Sequence, residues 1–132
     1  MNNFRSLLAC CLWILSTAAL AHHSNTPYDM SKSLHATGVV KEANFKNPHS
    51  TMTLMMEVAG KTRAVNFEGH SLATLRHYGL TPSMVKIGDT ISISYAPRRD
   101  KDEGGIFLSI TTASGETHDF SHLGYEEKSE AK

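Results

Sequence analysis

The sequence predicts a small, mainly β domain: an OB-like barrel of five to six strands with one short helix between strands 3 and 4. Three observations predict this fold class. Three segments with β-type patterns come first, a short capped helical segment follows, and further β segments come last. This order within about 90 residues is typical of an OB-type barrel, which closes its own sheet edges.

The first three β segments predict one long strand and a hairpin. Residues 34–45 carry a β-branched run that stops at the turn signal Asn47-Pro48-His49. Residues 50–59 alternate polar and apolar side chains, as a half-buried strand does. A tight turn at Gly60-Lys61 then returns the chain along residues 62–67, which predicts a hairpin.

The β-type pattern stops at Gly69, and the residues that follow indicate a helix. Ser71 can cap it, Leu72 and Leu75 repeat at a spacing of three, and Gly79 ends it. The later elements follow in chain order: a capped turn at 81–85, a turn at 86–89, a strand at 90–95, a loop at 97–105, a strand at 106–112, and a short strand at 117–120.

Residues 1–21 have the pattern of a cleaved signal peptide. A short apolar run follows the one charge, Arg5, and small residues at Ala19 and Ala21 fit the cleavage rule. The apolar run is too short for a membrane anchor, so we expect a periplasmic protein with no stable anchor after cleavage. A lipoprotein cut before Cys10 is disfavoured, because hydrophobic sequence continues past it.

Cleavage after Ala21 leaves 111 of the 132 residues, which is enough for one small domain. We expect an N-terminal arm at 22–33, the barrel at 34–122 and a charged flexible tail at 123–132. Loss of one arginine with the signal peptide leaves 12 of the 13 basic residues against 13 acidic ones. With no basic cluster beyond Arg98-Arg99, this balance argues against nucleic acid as a partner.

Cleavage at this position also makes His22 the first residue, and a terminal histidine predicts a metal site. Its α-amine and its Nδ1 can chelate one ion, and both supply neutral nitrogen near pH 7. Both cysteines leave with the signal peptide, so other ligands must be imidazoles or thioethers. A third nitrogen would complete a T-shaped set that suits copper, with zinc as the alternative. The arrangement resembles the histidine brace of copper oxygenases and periplasmic copper carriers.

His49 is the favoured third ligand, because the Asn47-Pro48-His49 turn holds an imidazole at the rim of the barrel. His70 is the alternative, although an OB-type order does not require the first turn and the helix start to share one end. His23 could instead bind with the amine and its own amide nitrogen. The ordinary alternative for each is a solvent-facing histidine that only makes hydrogen bonds.

The other candidate ligands are less favoured. His118 and His122 have a spacing of four, which suits a metal on a helix, but their segment reads as strand or coil. His35 and His77 have no partner in the pattern. Met52 and Met56 fall on the apolar face of their strand, where methionine fills gaps in a core.

No nucleophile elbow, zinc-protease motif or phosphate loop occurs, so we expect a protein that is not an enzyme. The alternative to a metal-binding protein is a periplasmic interaction module. It would bind a peptide, a glycan or a partner protein on the barrel face without metal. The residues near the strand ends that suit such a face are Phe45, Phe67, Tyr95 and Arg98.

Five short motifs lie in a fixed order along the chain: Ala21-His22-His23-Ser24, Gly38-x-Val40, Asn47-Pro48-His49, Tyr78-Gly79-Leu80 and Ile87-Gly88-Asp89. In these motifs the chain resembles an exported bacterial family of uncharacterised proteins, and the resemblance spans nearly the whole domain after the signal peptide. The resemblance implies export and the small barrel, and it implies no chemistry. The turn at Ala113-Ser114-Gly115-Glu116 departs from the short Asp-Gly turn of that family.

Overall fold

The computed structural model describes residues 27–123. The predicted signal peptide, arm residues 22–26 with His22 and His23, and tail residues 124–132 lie outside the described residues. Short 3₁₀ turns lie at Pro82–Met84 and Ser121–Leu123. The strands and the α-helix are, in chain order, β1 (Leu34–Asn44), β2 (Ser50–Val58), β3 (Lys61–Gly69), α1 (Leu72–His77), β4 (Thr90–Pro97), β5 (Gly105–Thr111) and β6 (Thr117–Asp119).

The strands form a closed barrel of five strands, and β6 adds a sixth beside β5. The sheet order is β3-β2-β1-β4-β5-β6, and a parallel pairing of β3 with β5 closes the barrel. β1 is long because its first half pairs with β4 and its second half pairs with β2. The predicted fold class is confirmed, with one short α-helix between β3 and β4 in the described part of the chain.

The β2–β3 hairpin is longer than the sequence predicted. Its ladder runs from the pair Ser50–Gly69 to the pair Val58–Lys61. The turn consists of Ala59 and Gly60, with φ angles of 50° and 75°, and not of Gly60 and Lys61. A two-residue type I′ turn needs positive φ at both positions, and this fixes the turn one residue earlier.

The core is filled by side chains that the β alternation directs inward, together with two leucines from the helical segment. Each fully buried side chain of this size contributes about 1.5–3 kcal/mol relative to an exposed one. Met52 belongs to this core, as its position on the apolar face predicted. The largest members are Met52, Leu54, Phe67, Leu75, Leu80, Ile91, Ile93, Phe107, Ile110 and Phe120.

α1 is short and is capped at both ends. Ser71 Oγ accepts a hydrogen bond from the Thr74 amide at 3.1 Å. At the other end, the Leu80 amide donates to the Leu75 carbonyl at 2.9 Å and the Gly79 amide donates to the Arg76 carbonyl at 3.0 Å. These two bonds form a Schellman motif, which is the predicted glycine stop. No helix between residues 27 and 123 is long and apolar enough to cross a membrane.

A close approach between β3 and β5 depends on Gly69. A Cβ atom at this position would lie 1.8 Å from Cζ of Phe107, so the phenylalanine ring occupies the space of the missing side chain. The neighbouring pairs are Phe67–Gly105 and Glu68–Ile106, which are the parallel pairs that close the barrel. The absence of a side chain at Gly69 therefore allows the core ring to sit at the closure.

Replacing Gly69 by alanine should lower the free energy of unfolding by about 1–3 kcal/mol, because the new methyl group overpacks the core against Phe107. Gly69 is not among the positive-φ residues, so its backbone tolerates alanine. Urea denaturation of G69A, F107L and the double variant measures the effect. The free energy of unfolding of the double variant should fall by less than the sum of the two single decreases, because leucine at position 107 leaves room for the new methyl group at position 69. Additive losses would contradict this account of the closure.

Candidate histidine centre at one end of the barrel

The structure brings His49 and His70 to the same end of the barrel. Ser50 begins β2 opposite Gly69, which ends β3, so the two histidines flank the first pair of the ladder. The Ser50 amide also donates to the His70 carbonyl at 3.2 Å. The OB-type order alone does not determine whether the turn with His49 and the start of α1 lie at the same end of the barrel. The β2–β3 register shows that they do.

The N-terminus of α1 anchors both connections. The Leu72 amide donates to the Lys46 carbonyl at 3.1 Å, and the Ala73 amide donates to Asn47 Oδ1 at 3.2 Å. The first amides of a helix have no partner within the helix, and here the predicted Asn47-Pro48-His49 turn supplies acceptors. The turn that carries His49 is thereby fixed to the helix that follows His70.

His122 lies at the same end, among aromatic rings. Its ring centroid lies 5.0 Å from that of Tyr78, in an edge-to-face arrangement. Tyr78 lies 6.2 Å from Phe120, and Phe120 lies 6.1 Å from His70. The sequence pattern did not favour His122 as a metal ligand. The short strand β6 and the 3₁₀ turn that follows it bring this residue back to the barrel end.

His49 and His122 lie close enough to His70 to affect its imidazole electrostatically. Burial lowers the pKa of His70 below its ordinary value of 6.5, and the neighbouring His49 and His122 lower the pKa further. The neutral form of His70 is therefore favoured near pH 7. A neutral imidazole is the form that binds a metal ion.

Within residues 27–123, no group of three or more His, Cys, Asp or Glu side chains is arranged to hold a metal ion. What this barrel end offers is imidazole nitrogen from His49 and His70, with His122 nearby. His22 and His23, the other predicted ligands, lie outside the described residues. Metal ligation by His22, His23, His49 or His70 stays a prediction.

The described part of the predicted arm packs beside this end. Tyr28 is 1% exposed and pairs with Arg98 as an isolated β-bridge. A polar groove of about 330 Å³ runs past Tyr28. Its other lining residues come from β2, β3 and the β4–β5 connection: Thr51, Asn66, Glu68, Arg98, Asp102, Glu103 and Gly105.

The predicted interaction face needs a correction at Phe67. Phe67 is buried in the core, because it shares the inward parity of Val65 on β3. Tyr95 packs edge-to-face on it at 5.0 Å, and Phe45 is half-buried against the core. Arg98 lies in the groove and forms an ion pair with Asp100 at 2.6 Å. An exposed aromatic face built on Phe67 is therefore wrong.

The remaining histidines lie apart from one another. His35 is exposed on β1 and pairs with Ser94 of β4. His77 is exposed at the end of α1, 5.0 Å from the Tyr78 ring. His118 is buried on β6, and its Nδ1 lies 3.2 Å from the Tyr78 carbonyl oxygen. β6 is a strand, so His118 and His122 do not form a helical pair.

The family model that matches residues 10–109 describes a family of unknown function (DUF6152). No curated protein matches the sequence. A solved structure that is similar is the ZRD-deleted mutant of TiaS in complex with agmatine, at 13% identity and a TM-score of 0.44. The match covers 61% of this chain and 21% of that one, so this chain spans about a fifth of that protein's length.

Acidification through the range below pH 6.5 should destabilise the fold through His70. Its folded pKa is lowered, so the unfolded chain binds more protons in this range. The contribution of neutral His70 is complete above pH 6.5 and is lost as the pH falls toward the folded pKa. Urea denaturation across this range should give a shallower pH dependence for His70→Gln than for the wild type.

NMR titration of the His70 ring gives the matching site-specific measurement. His122→Ala should raise the pKa of His70, because it removes a nearby positive charge at low pH. His35→Ala, on exposed strand surface, serves as the control and should leave the titration of His70 unchanged. Equal effects of the two variants would contradict a shared electrostatic site.

Proposed function

We propose, from the premise that this chain belongs to the DUF6152 family of unknown function, that the protein is exported and binds copper at its histidine-bearing barrel end. His22 is the first residue of the processed chain in this proposal, and His49 supplies the third nitrogen. The observation that carries the proposal is the meeting of His49 and His70 across the first pair of the β2–β3 ladder.

The donor set suits copper. The α-amine and the Nδ1 of His22 form a six-membered chelate, and one imidazole from the barrel completes three nitrogens. Copper(II) binds nitrogen ligands more strongly than the other divalent first-row metals do, and zinc is the alternative. Two of the three nitrogens come from one residue, so the barrel needs to contribute a single histidine.

The position of the arm supports the reach that this site requires. Five residue steps separate His22 from Pro27, and an extended chain of that length spans at most about 18 Å. Tyr28 lines the same groove as Thr51 and Glu68. Each of these strand residues lies two positions from a candidate ligand, since Thr51 follows His49 in the sequence and Glu68 precedes His70.

His49 is the first choice for the third ligand and His70 is the second. The turn that carries His49 is held by the backbone of α1 through Lys46 and Asn47, so its position is set before metal binds. A ligand held in place loses less conformational entropy on binding than one on a free loop. His70 is half-buried and favours the neutral form, which suits a ligand as well.

A second candidate function is an interaction module, and the polar groove beside Tyr28 is the observation that favours it. Three carboxylates line this groove: Glu68, Asp102 and Glu103. Arg98, the cation in the lining, is already paired with Asp100. Glu103 is already paired with Arg63. Glu68 and Asp102 are the other two carboxylates of the lining. The groove therefore suits a polar segment that carries positive charge, and such binding would need neither copper nor His22.

The decisive experiment combines the intact mass of the protein recovered from the exported fraction with copper(II) titration of the same material. We expect a mass that begins at His22 and one tightly bound copper. His22→Ala should weaken copper binding by more than about 100-fold, since loss of even an outer-shell partner costs about 10–100-fold. His49→Ala should weaken it clearly, and the control variant His35→Ala should leave it unchanged.

A mass that begins at another residue would contradict the terminal chelate, as would copper binding that survives His22→Ala. If His70→Ala loses copper binding and His49→Ala retains it, the third ligand is His70 and not His49, and the rest of the proposal stands. Absence of copper binding together with capture of a basic peptide that is lost in Glu68→Gln would favour the interaction module instead.

A further inference from the structure

His118 is a buried histidine with an unpaired ring nitrogen. Its side chain is 5% exposed, and it lies on β6 opposite Ile110 of β5. Nδ1 lies 3.2 Å from the Tyr78 carbonyl oxygen, at the end of α1. Nε2 is buried and has no hydrogen-bond partner within residues 27–123. Buried polar atoms are bonded in the great majority of cases, so this orphan atom calls for a physical reason.

The chemistry of the two neighbours fixes the tautomer. A carbonyl oxygen can only accept, so Nδ1 of His118 carries the hydrogen and donates to Tyr78. Nε2 of the neutral ring then presents a lone pair. Glu116 Oε1 lies 3.5 Å from Nε2, and an ionised carboxylate is also only an acceptor. Two acceptors therefore face each other while His118 is neutral.

A proton on Nε2 converts this contact into a charge-assisted hydrogen bond from His118 to Glu116. The helix end that the ring contacts carries two basic residues in its last turn, Arg76 and His77. β5 faces the ring with apolar Ile110. Asp119, next along β6, is held by the Ser121 amide at 2.7 Å.

We propose that His118 and Glu116 form an acid-closed clasp. Uptake of a proton at Nε2 ties the β5–β6 turn, through Glu116, to the imidazole that already holds the end of α1 through Tyr78. While the ring is neutral the clasp is open, because Glu116 has no hydrogen to accept. The device is independent of the copper proposal, since that proposal uses neither residue as a ligand and no metal takes part in the clasp.

Thermal unfolding of metal-free protein at pH 8 and at pH 5 tests the clasp. Glu116→Ala should lower Tm by about 4 °C more at pH 5 than at pH 8, because the hydrogen bond exists only in acid. Glu116 lies on an exposed turn, so the variant should fold. Glu42→Ala removes an exposed carboxylate from β1 and is the matched control, with the same Tm change at both pH values. A Tm change in Glu116→Ala that does not depend on pH would overturn the proposal.

Glu116→Gln gives the sharper test, because a glutamine amide can donate to the Nε2 lone pair of the neutral ring. The glutamine carbonyl oxygen can also accept from the protonated ring, so the contact should form at pH 8 and at pH 5, and Glu116→Gln should lack the pH-dependent contribution of the wild-type contact to Tm. Nitrogen-15 NMR of the His118 ring should show the hydrogen on Nδ1 at pH 8 and a protected Nε2 hydrogen at pH 5 in the wild type. A neutral ring with its hydrogen on Nε2 would overturn the assignment.

Discussion

The parallel contact of β3 with β5 is the constraint on which the rest of the structure depends. It joins the pairs Phe67–Gly105 and Glu68–Ile106, and it turns a sheet of consecutive neighbours into a closed barrel. Without it, β3 would be an edge strand with unpaired backbone groups. The contact requires the Phe107 ring to cross the backbone at Gly69, where no side chain stands in its way. The missing side chain at Gly69 thus makes room for the Phe107 ring beside the β3–β5 contact.

The β2–β3 hairpin and the closure together gather the histidines. β3 ends beside the start of β2, so the chain segments beyond these two strand ends, with His49 and His70, leave the barrel at one place. β5 continues past the closure and carries β6, whose following residue Phe120 packs into the core near His70. His122 arrives by this route. Residues that are far apart in sequence become neighbours because three strands meet at one end.

The sequence predicted the parts of the fold that depend on local pattern. Alternation revealed the strands, and Ser71 and Gly79 marked α1, because capping is decided within a few residues. The position of His122 depends on closure and on the pairing of β6, which no local pattern contains. The shared end of His49 and His70 follows from the predicted hairpin, because an antiparallel pair places the start of β2 beside the end of β3. The predicted binding face fails at Phe67, because its parity matches that of Val65 and alternation decides its burial even near a strand end. Burial of His118 follows from a strand of three residues, too short for a pattern to reveal.

Tyr78 connects the two sets of histidines at this end. Its backbone carbonyl accepts from buried His118, while its ring lies against His122 and Phe120. α1 is therefore held at its first turn by the segment that carries His49 and after its last turn by His118. The helix spans six residues, so these two contacts hold opposite ends of one short element. The His49 turn and the buried imidazole of β6 thus fix α1 from both sides, and α1 in turn lies between the two sets of histidines.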